Sequence, residues 1–226
     1  GAPILLRTLC KERKEHSVIY TKFEQLTKAV ASRADKARCA IVAPEDEHTI
    51  DAVIRAYREG LIEPILIGSK DVIGELLAEK YCDPHDITII DETDHEAACQ
   101  TAVDLVNRGQ ADAIMKGLVH TKVFMHAILK RENQLKTGQL VSMLSIRELP
   151  HYHKLIAFTD AGICMYPTLD EKRQIIENAV ACLTAMGFDT PKVGVLSAVE
   201  VVNPKMKESV EADALKRMNQ NGIIKG

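Results

Sequence analysis

Apolar and polar positions alternate along this chain in two rhythms that take turns. Short apolar runs at Cys39–Ala43, Ile65–Ile67, Ile87–Ile90, Ala111–Met115, Leu155–Phe158 and Val193–Leu196 are each followed by a stretch with helical spacing. Strands and helices in that order predict parallel strands covered by helices, because a parallel connection must cross over the sheet. After the first run, Ile50, Val53, Ile54, Tyr57 and Leu61 share one face of a 3.6-residue period, while Asp51, Arg55 and Arg58 point elsewhere. Ile175, Ile176, Ala179, Val180, Leu183 and Met186 repeat the pattern. Thr93 with Glu96 and Thr168 with Glu171 fit the capping box, and Asn203 followed by Pro204 fits an N-cap with proline at the first helical position.

The rhythm breaks between Lys130 and Lys154. The polar stretch RENQLKTGQL leads into VSMLSI and then LIAFTD, which read as neighbouring strands with a longer connection. The expected organisation is therefore an N-terminal extension over residues 1–20, a first α/β subdomain over 21–135, and a second over 136–226. A ligand cleft between the halves is the expected site, since ligand sites favour domain interfaces. The charged KERKEH segment near the N-terminus reads as a solvated extension.

Composition narrows the function classes. The chain has 226 residues, 46% of them hydrophobic, enough to bury a core. Its 29 basic and 32 acidic residues are interspersed, for a net charge of -3, so no broad field favours nucleic acid or an anionic membrane. Any anion has to be held locally. No apolar run approaches the ~20 residues of a membrane helix, and the N-terminus lacks a signal-peptide pattern, which together predict a cytoplasmic protein. The six cysteines (Cys10, Cys39, Cys82, Cys99, Cys164 and Cys182) form no C-x-x-C pair and read as reduced structural thiols. His151 and His153 lie two apart, but without a clear third ligand no metal site is expected.

The sequence AIMKGLVHTK at 113–122 carries the candidate chemistry. A buried strand ends on Lys116 and Gly117, and a helix begins after His120 and Thr121. Ligands of open parallel sheets sit outside the carboxyl ends of strands, where a helix N-terminus favours an anion. Lys116 offers a point charge, Gly117 a close backbone approach and Thr121 a hydroxyl; a solvated surface lysine remains the alternative reading. Lys136, Thr137 and Gly138 have the same ingredients. Asp160 either orients a ligand or caps a turn.

MKGLVHTKVFMHAIL, KTGQLVSM, LIAFTDAGICMYPTLDEKRQIIENAV and SAVEVVNPKMKESVEADALKRM, in this order, resemble the phosphate acetyl/butyryltransferase family, and most its phosphate butyryltransferase branch. The resemblance runs from about Phe23 to Gly226. It implies an α/β fold of two subdomains, with parallel or mixed sheets flanked by helices, similar to the isocitrate and isopropylmalate dehydrogenases. It also implies transfer of an acetyl or butyryl group between coenzyme A and inorganic phosphate, with coenzyme A as substrate, no bound cofactor, and a homodimer. On this resemblance Lys116, Gly117, His120, Thr121, Lys136, Thr137 and Gly138 bind phosphate or acyl phosphate, with Ser142, Asp160, Glu200 and Asn203 as secondary candidates; Asn203 reads chiefly as a helix cap. The family continues past the position of Gly226, through a D-G-P-L-x-x-D-A motif with a proposed carboxylate base, to a Ser-Arg pair. The chain is therefore expected to be a fragment, with its catalytic residues unassigned. A noncatalytic binding or dimerising domain is the rival reading; a dehydrogenase lacks its G-x-G-x-x-G and its carboxylate cluster here.

Overall fold

A computed structural model of the chain describes residues 20–135 and 138–225. Lys136, Thr137 and the N-terminal extension through residue 19, with Cys10, lie outside the described residues. The described residues divide into two compact units: residues 24–135 build the first, and residues 20–23 with 138–225 build the second.

After helix α1 (Phe23–Ala31), the first unit alternates β1 (Ala37–Val42), α2 (Glu47–Arg58), β2 (Ile62–Gly68), α3 (Lys70–Glu79), β3 (Thr88–Asp91), α4 (His95–Asn107), β4 (Ala113–Lys116) and α5 (Thr121–Leu129). The four strands form one parallel sheet in the order β3-β2-β1-β4. Side chains alternate across a strand, so β1 feeds two cores. Ala40 and Val42 pack with Ile67 against Ala98, Ala102 and Val103 of α4, while Cys39 and Ile41 pack with Leu66 against Ile50 and Val53 of α2 and Leu77 of α3. Ile41, Ile50, Leu66 and Leu77 are fully buried, each contributing roughly 1.5–3 kcal/mol of burial. The alternation predicted from sequence is thus present, with helices on both faces.

The second unit contains the antiparallel pair β5 (Ser145–Arg147) and β6 (Ile156–Phe158), then α6 (Leu169–Ala185) and α7 (Lys207–Gln220). Ile176 and Val180 of α6 meet Leu215 of α7 and Ile224 in a small core. The capping box expected at the start of α6 is formed in both directions: Thr168 accepts from Glu171 N, and Glu171 accepts from Thr168 N at 2.7 Å.

Three local expectations are corrected. Helix α4 is capped by Asp94, which accepts from Ala97 N at 2.8 Å, and not by Thr93; a carboxylate is the stronger acceptor at a helix start. Helix α7 starts at Lys207, later than Asn203-Pro204 suggests. Asn203 instead closes the preceding turn, accepting from Lys205 N through its side chain and from Met206 N through its carbonyl. The apolar run Val193–Leu196 is not a strand. Strand pattern becomes strand only by pairing, and among the described residues the backbone of residues 189–202 makes no backbone hydrogen bond.

Candidate functional site

The strand order places a switch in the first unit. From β1 the chain steps outward to β2 and β3, then returns on the other side of β1 to place β4. Helices that follow β1 and β4 therefore leave in opposite directions, which opens a crevice at the carboxyl ends of these two strands. Lys116 and Gly117 stand there. Gly117 N donates to Val42 O at 2.8 Å and Leu118 N to Ala43 O at 2.7 Å, so the end of β4 is zipped onto the end of β1. A Cβ on Gly117 would lie 2.9 Å from Val42 O and closer still to Ala43 O, so glycine is required by close backbone approach. The buried Val119 then pins the turn into the core.

The Lys116 ammonium folds over its own loop, donating to Gly117 O at 3.1 Å and Val119 O at 3.0 Å. Two of its three donors are thereby engaged, and the charge is held beside the start of α5. His120 is the N-cap of α5 and makes no side-chain cap bond, and there is no acidic residue in the first turn. The amides of Thr121, Lys122 and Val123 have no partner among the described residues, since the first bond back is Phe124 N to His120 O.

The other helices that follow strands of this sheet are occupied by carboxylates. Asp46 accepts from Thr49 N at the start of α2. Glu45 accepts from Ser69 N at 2.8 Å and Asp91 from Lys70 N at 3.0 Å at the start of α3, and Asp94 accepts from Ala97 N at the start of α4. Burial pushes the Asp46 carboxyl up, but the hydroxyl and amide of Thr49 outweigh it and hold the group below its ordinary value. The second oxygens of Glu45 and Asp46 are buried without a partner among the described residues. An added anion would meet like charge at those ends. At α5 it would meet free amides, Lys116, His120 and Lys122, a setting that favours negative charge.

In the second unit, Gly138 has φ of +86° and opens a stretch without regular structure that leads to β5. Two amide side chains of α6, one turn apart, grip this stretch. Gln174 Oε1 accepts from Leu140 N at 3.0 Å, and Asn178 Nδ2 donates to Leu140 O at 2.8 Å and to Ser142 Oγ at 3.0 Å. Asp160 holds the far end, accepting from Met143 N, Gly162 N and Ile163 N at 2.8–2.9 Å. Burial alone would raise its pKa; the amides of Gly162, Ile163, Met143 and Cys164 outweigh that and bring it to about 2. The carboxylate thus caps the turn through backbone donors, one of the two roles read from sequence. Glu200 stands exposed at the rim of a groove of about 570 Å³ whose lining includes Ile176, Val195, Leu215 and Ile224.

Sequence reading singled out Lys116, Gly117, His120 and Thr121, and the structure brings these into one junction. It missed the amide pair Gln174/Asn178 and the exchange of caps by Glu45 and Asp91. The first was visible as polar residues spaced i, i+4 beside the apolar stripe of α6. No linear signal marked the second.

The description "Phosphate acetyl/butaryl transferase" matches residues 93–225. That span covers α4 through α7, more than half of the chain. The chain belongs to the phosphate acetyl/butaryl transferase family. It is 38% identical over 195 residues to a phosphate acetyltransferase of Thermotoga maritima, a match that covers 86% of this chain and 66% of that protein. It is 36% identical over 204 residues to a phosphate butyryltransferase of Clostridium acetobutylicum, covering 90% of this chain and 67% of the relative. The chain thus spans about two thirds of the length of these relatives. Among solved structures, the branched-chain phosphotransacylase from Enterococcus faecalis V583 superposes with a TM-score of 0.70 at 28% identity, over 80% of this chain and 63% of that one. A phosphotransacetylase from Streptococcus pyogenes, at 21% identity, shares the fold with a TM-score of 0.68, over 90% of this chain and 71% of that one. These neighbours carry the α/β fold expected from sequence.

Proposed function

We propose that this member of the family transfers a short acyl group, acetyl or butyryl, between coenzyme A and inorganic phosphate, and that the junction of β4 and α5 receives the phosphate. The observation that carries the assignment of the site is the start of α5: alone among the helices that follow strands of its sheet, it has no acidic residue in its first turn and no carboxylate on its first amides. Lys116, His120 and Thr121 then supply charge and hydroxyl to the anion, and Gly117 lets the backbone approach it. The family resemblance alone adds Lys136, Thr137 and Gly138 to the proposed phosphate-binding residues.

In the reaction a phosphate oxygen adds to the thioester carbonyl to form a tetrahedral oxyanion. The carbonyl reforms as the C–S bond breaks, and the departing coenzyme A thiolate takes up a proton. Positioning and stabilisation of the oxyanion are what the protein has to supply. A covalent cysteine intermediate is not needed, and burial raises the Cys39, Cys82, Cys99, Cys164 and Cys182 thiols above their ordinary range, Cys39 to about 11. Coenzyme A is a substrate in this scheme and no metal takes part. Among the described residues no helix is long and apolar enough to cross a membrane. A cytoplasmic location and a homodimer belong to the same proposal.

The test is formation of acyl phosphate from butyryl-CoA and phosphate by the protein and by Lys116→Ala. The substitution is expected to raise the KM for phosphate about tenfold and that for coenzyme A far less, since one charge-assisted contact is lost. Unchanged phosphate kinetics in a folded variant would remove the anion from this junction. Binding of both substrates without turnover would favour a noncatalytic domain.

A further inference from the structure

Leu118 lies between residues with settled roles, and none of those roles extends to it. Val119 is buried and joins Phe124 in one core of the first unit, the apolar pairing that fixes a chain as it enters a helix. Leu118 belongs to neither core of that unit and is 57% exposed. Its backbone is nevertheless held. Its N–H donates to Ala43 O at 2.7 Å, at the end of β1, and the Lys116 ammonium donates to the carbonyls on either side of it, Gly117 O and Val119 O. A lone exposed leucine is ordinary on a protein surface. This one stands on the turn assigned to the phosphate, so a fixed loop carries a positive charge and a large apolar side chain next to each other.

We infer that Leu118 is the apolar contact for the acyl group and sets the preference for its length. This rests on the proposed transfer to phosphate at the junction of β4 and α5 and adds to it the side chain that reads the acyl chain. In the tetrahedral intermediate and in acyl phosphate, the acyl carbon is joined to the phosphoryl group through a single bridging oxygen. A phosphoryl group on the first amides of α5 therefore brings the acyl chain beside the turn that carries Leu118. Charge and apolar surface on one loop match a ligand that is charged at one end and apolar at the other. Each added methylene that covers Leu118 takes apolar area of both partners out of water, whereas acetyl offers only its methyl. All of these residues lie in the first unit, on β1, β4 and the turn between β4 and α5.

The test is acyl phosphate formation from acetyl-, propionyl- and butyryl-CoA at saturating phosphate, by the wild-type protein, Leu118→Ala and Leu118→Met. In Leu118→Ala the loss of kcat/KM should grow with chain length and be about tenfold greater for butyryl-CoA than for acetyl-CoA, the effect of the added methylenes losing their contact. Leu118→Met keeps the apolar volume and should retain the wild-type order of the three substrates. A loss that does not grow with chain length, or none at all, would overturn the assignment. So would a wild-type protein that turned over acetyl-CoA and not butyryl-CoA. In each of these cases the phosphate KM of Lys116→Ala, read in the same assay, would still decide the phosphate site. Absence of acyl phosphate from all three substrates with the wild-type protein would overturn the proposed reaction and the role of Leu118 with it.

Discussion

Gly117 and Asp160 both sit where sequence pattern ends, and each is decided by backbone atoms far away in the chain. For Gly117 the constraint is the carbonyl of Ala43, which occupies the space a Cβ would need. Gly117→Ala is expected to cost about 1–3 kcal/mol through forced separation of β1 from the β4 turn, measured by urea unfolding. For Asp160 the constraint is the set of amides around its carboxylate. Its pKa is lowered from 3.8 to about 2, so its stabilising contribution is present above the unfolded value and is lost as pH falls through the folded one. Asp160→Asn should therefore cost about 1–2 kcal/mol at pH 5, and its stability should decline less steeply than that of the wild type between about pH 4 and pH 2. Lys116 was legible from sequence as a charge at a strand end, but its attachment to Gly117 O and Val119 O depends on a turn shaped by Val119 burial.

Among elements, the contrast between α5 and its neighbours matters most. A carboxylate placed in the first turn of α5 should act on two quantities in opposite senses. Lys122→Glu is expected to stabilise the helix by about 0.3–1 kcal/mol through its dipole and to raise the KM for phosphate, since it imitates the anion. A thermal melt and phosphate titration of the same variant check both. At α6, the capping box predicted from Thr168 and Glu171 is formed, and Thr168→Ala should cost about 1 kcal/mol, read as a lowered Tm. The box is legible because it is entirely local. The start of α4 was placed one residue early, and the start of α3 could not be read, because Glu45 and Asp91 reach α3 from other loops.

Across the whole molecule, protection from exchange should be uneven for a reason visible in the hydrogen bonds. β1 and β2 are paired on both sides and covered on both faces, so amides of residues 40–42 and 65–67 should exchange slowest. Residues 192–202 have no backbone partner among the described residues and should exchange at nearly unprotected rates. Slow exchange there, measured on the intact protein, would show that this stretch is paired in solution. A chelator such as EDTA is expected to leave acyl phosphate formation unchanged, because the proposed exchange of phosphate for thiolate at the carbonyl rests on positioning and oxyanion stabilisation. Loss of activity restored by one divalent ion would count against the proposed mechanism.

The sequence by itself determined the α/β alternation, the faces of α2 and α6, and the strand-to-helix junction at Lys116 and Gly117. Each is set by residues within about a turn or two of one another, where periodicity, capping and glycine speak directly. Tertiary structure alone decided that β4 returns beside β1, which converts one of several similar junctions into a crevice, and that Val193–Leu196 does not become a strand. It also decided that Glu45 and Asp91 reach the start of α3 and which stretch Gln174 and Asn178 hold. Those outcomes depend on hydrogen-bond partners more than twenty residues away, and pairing at that distance leaves no periodic trace in the chain.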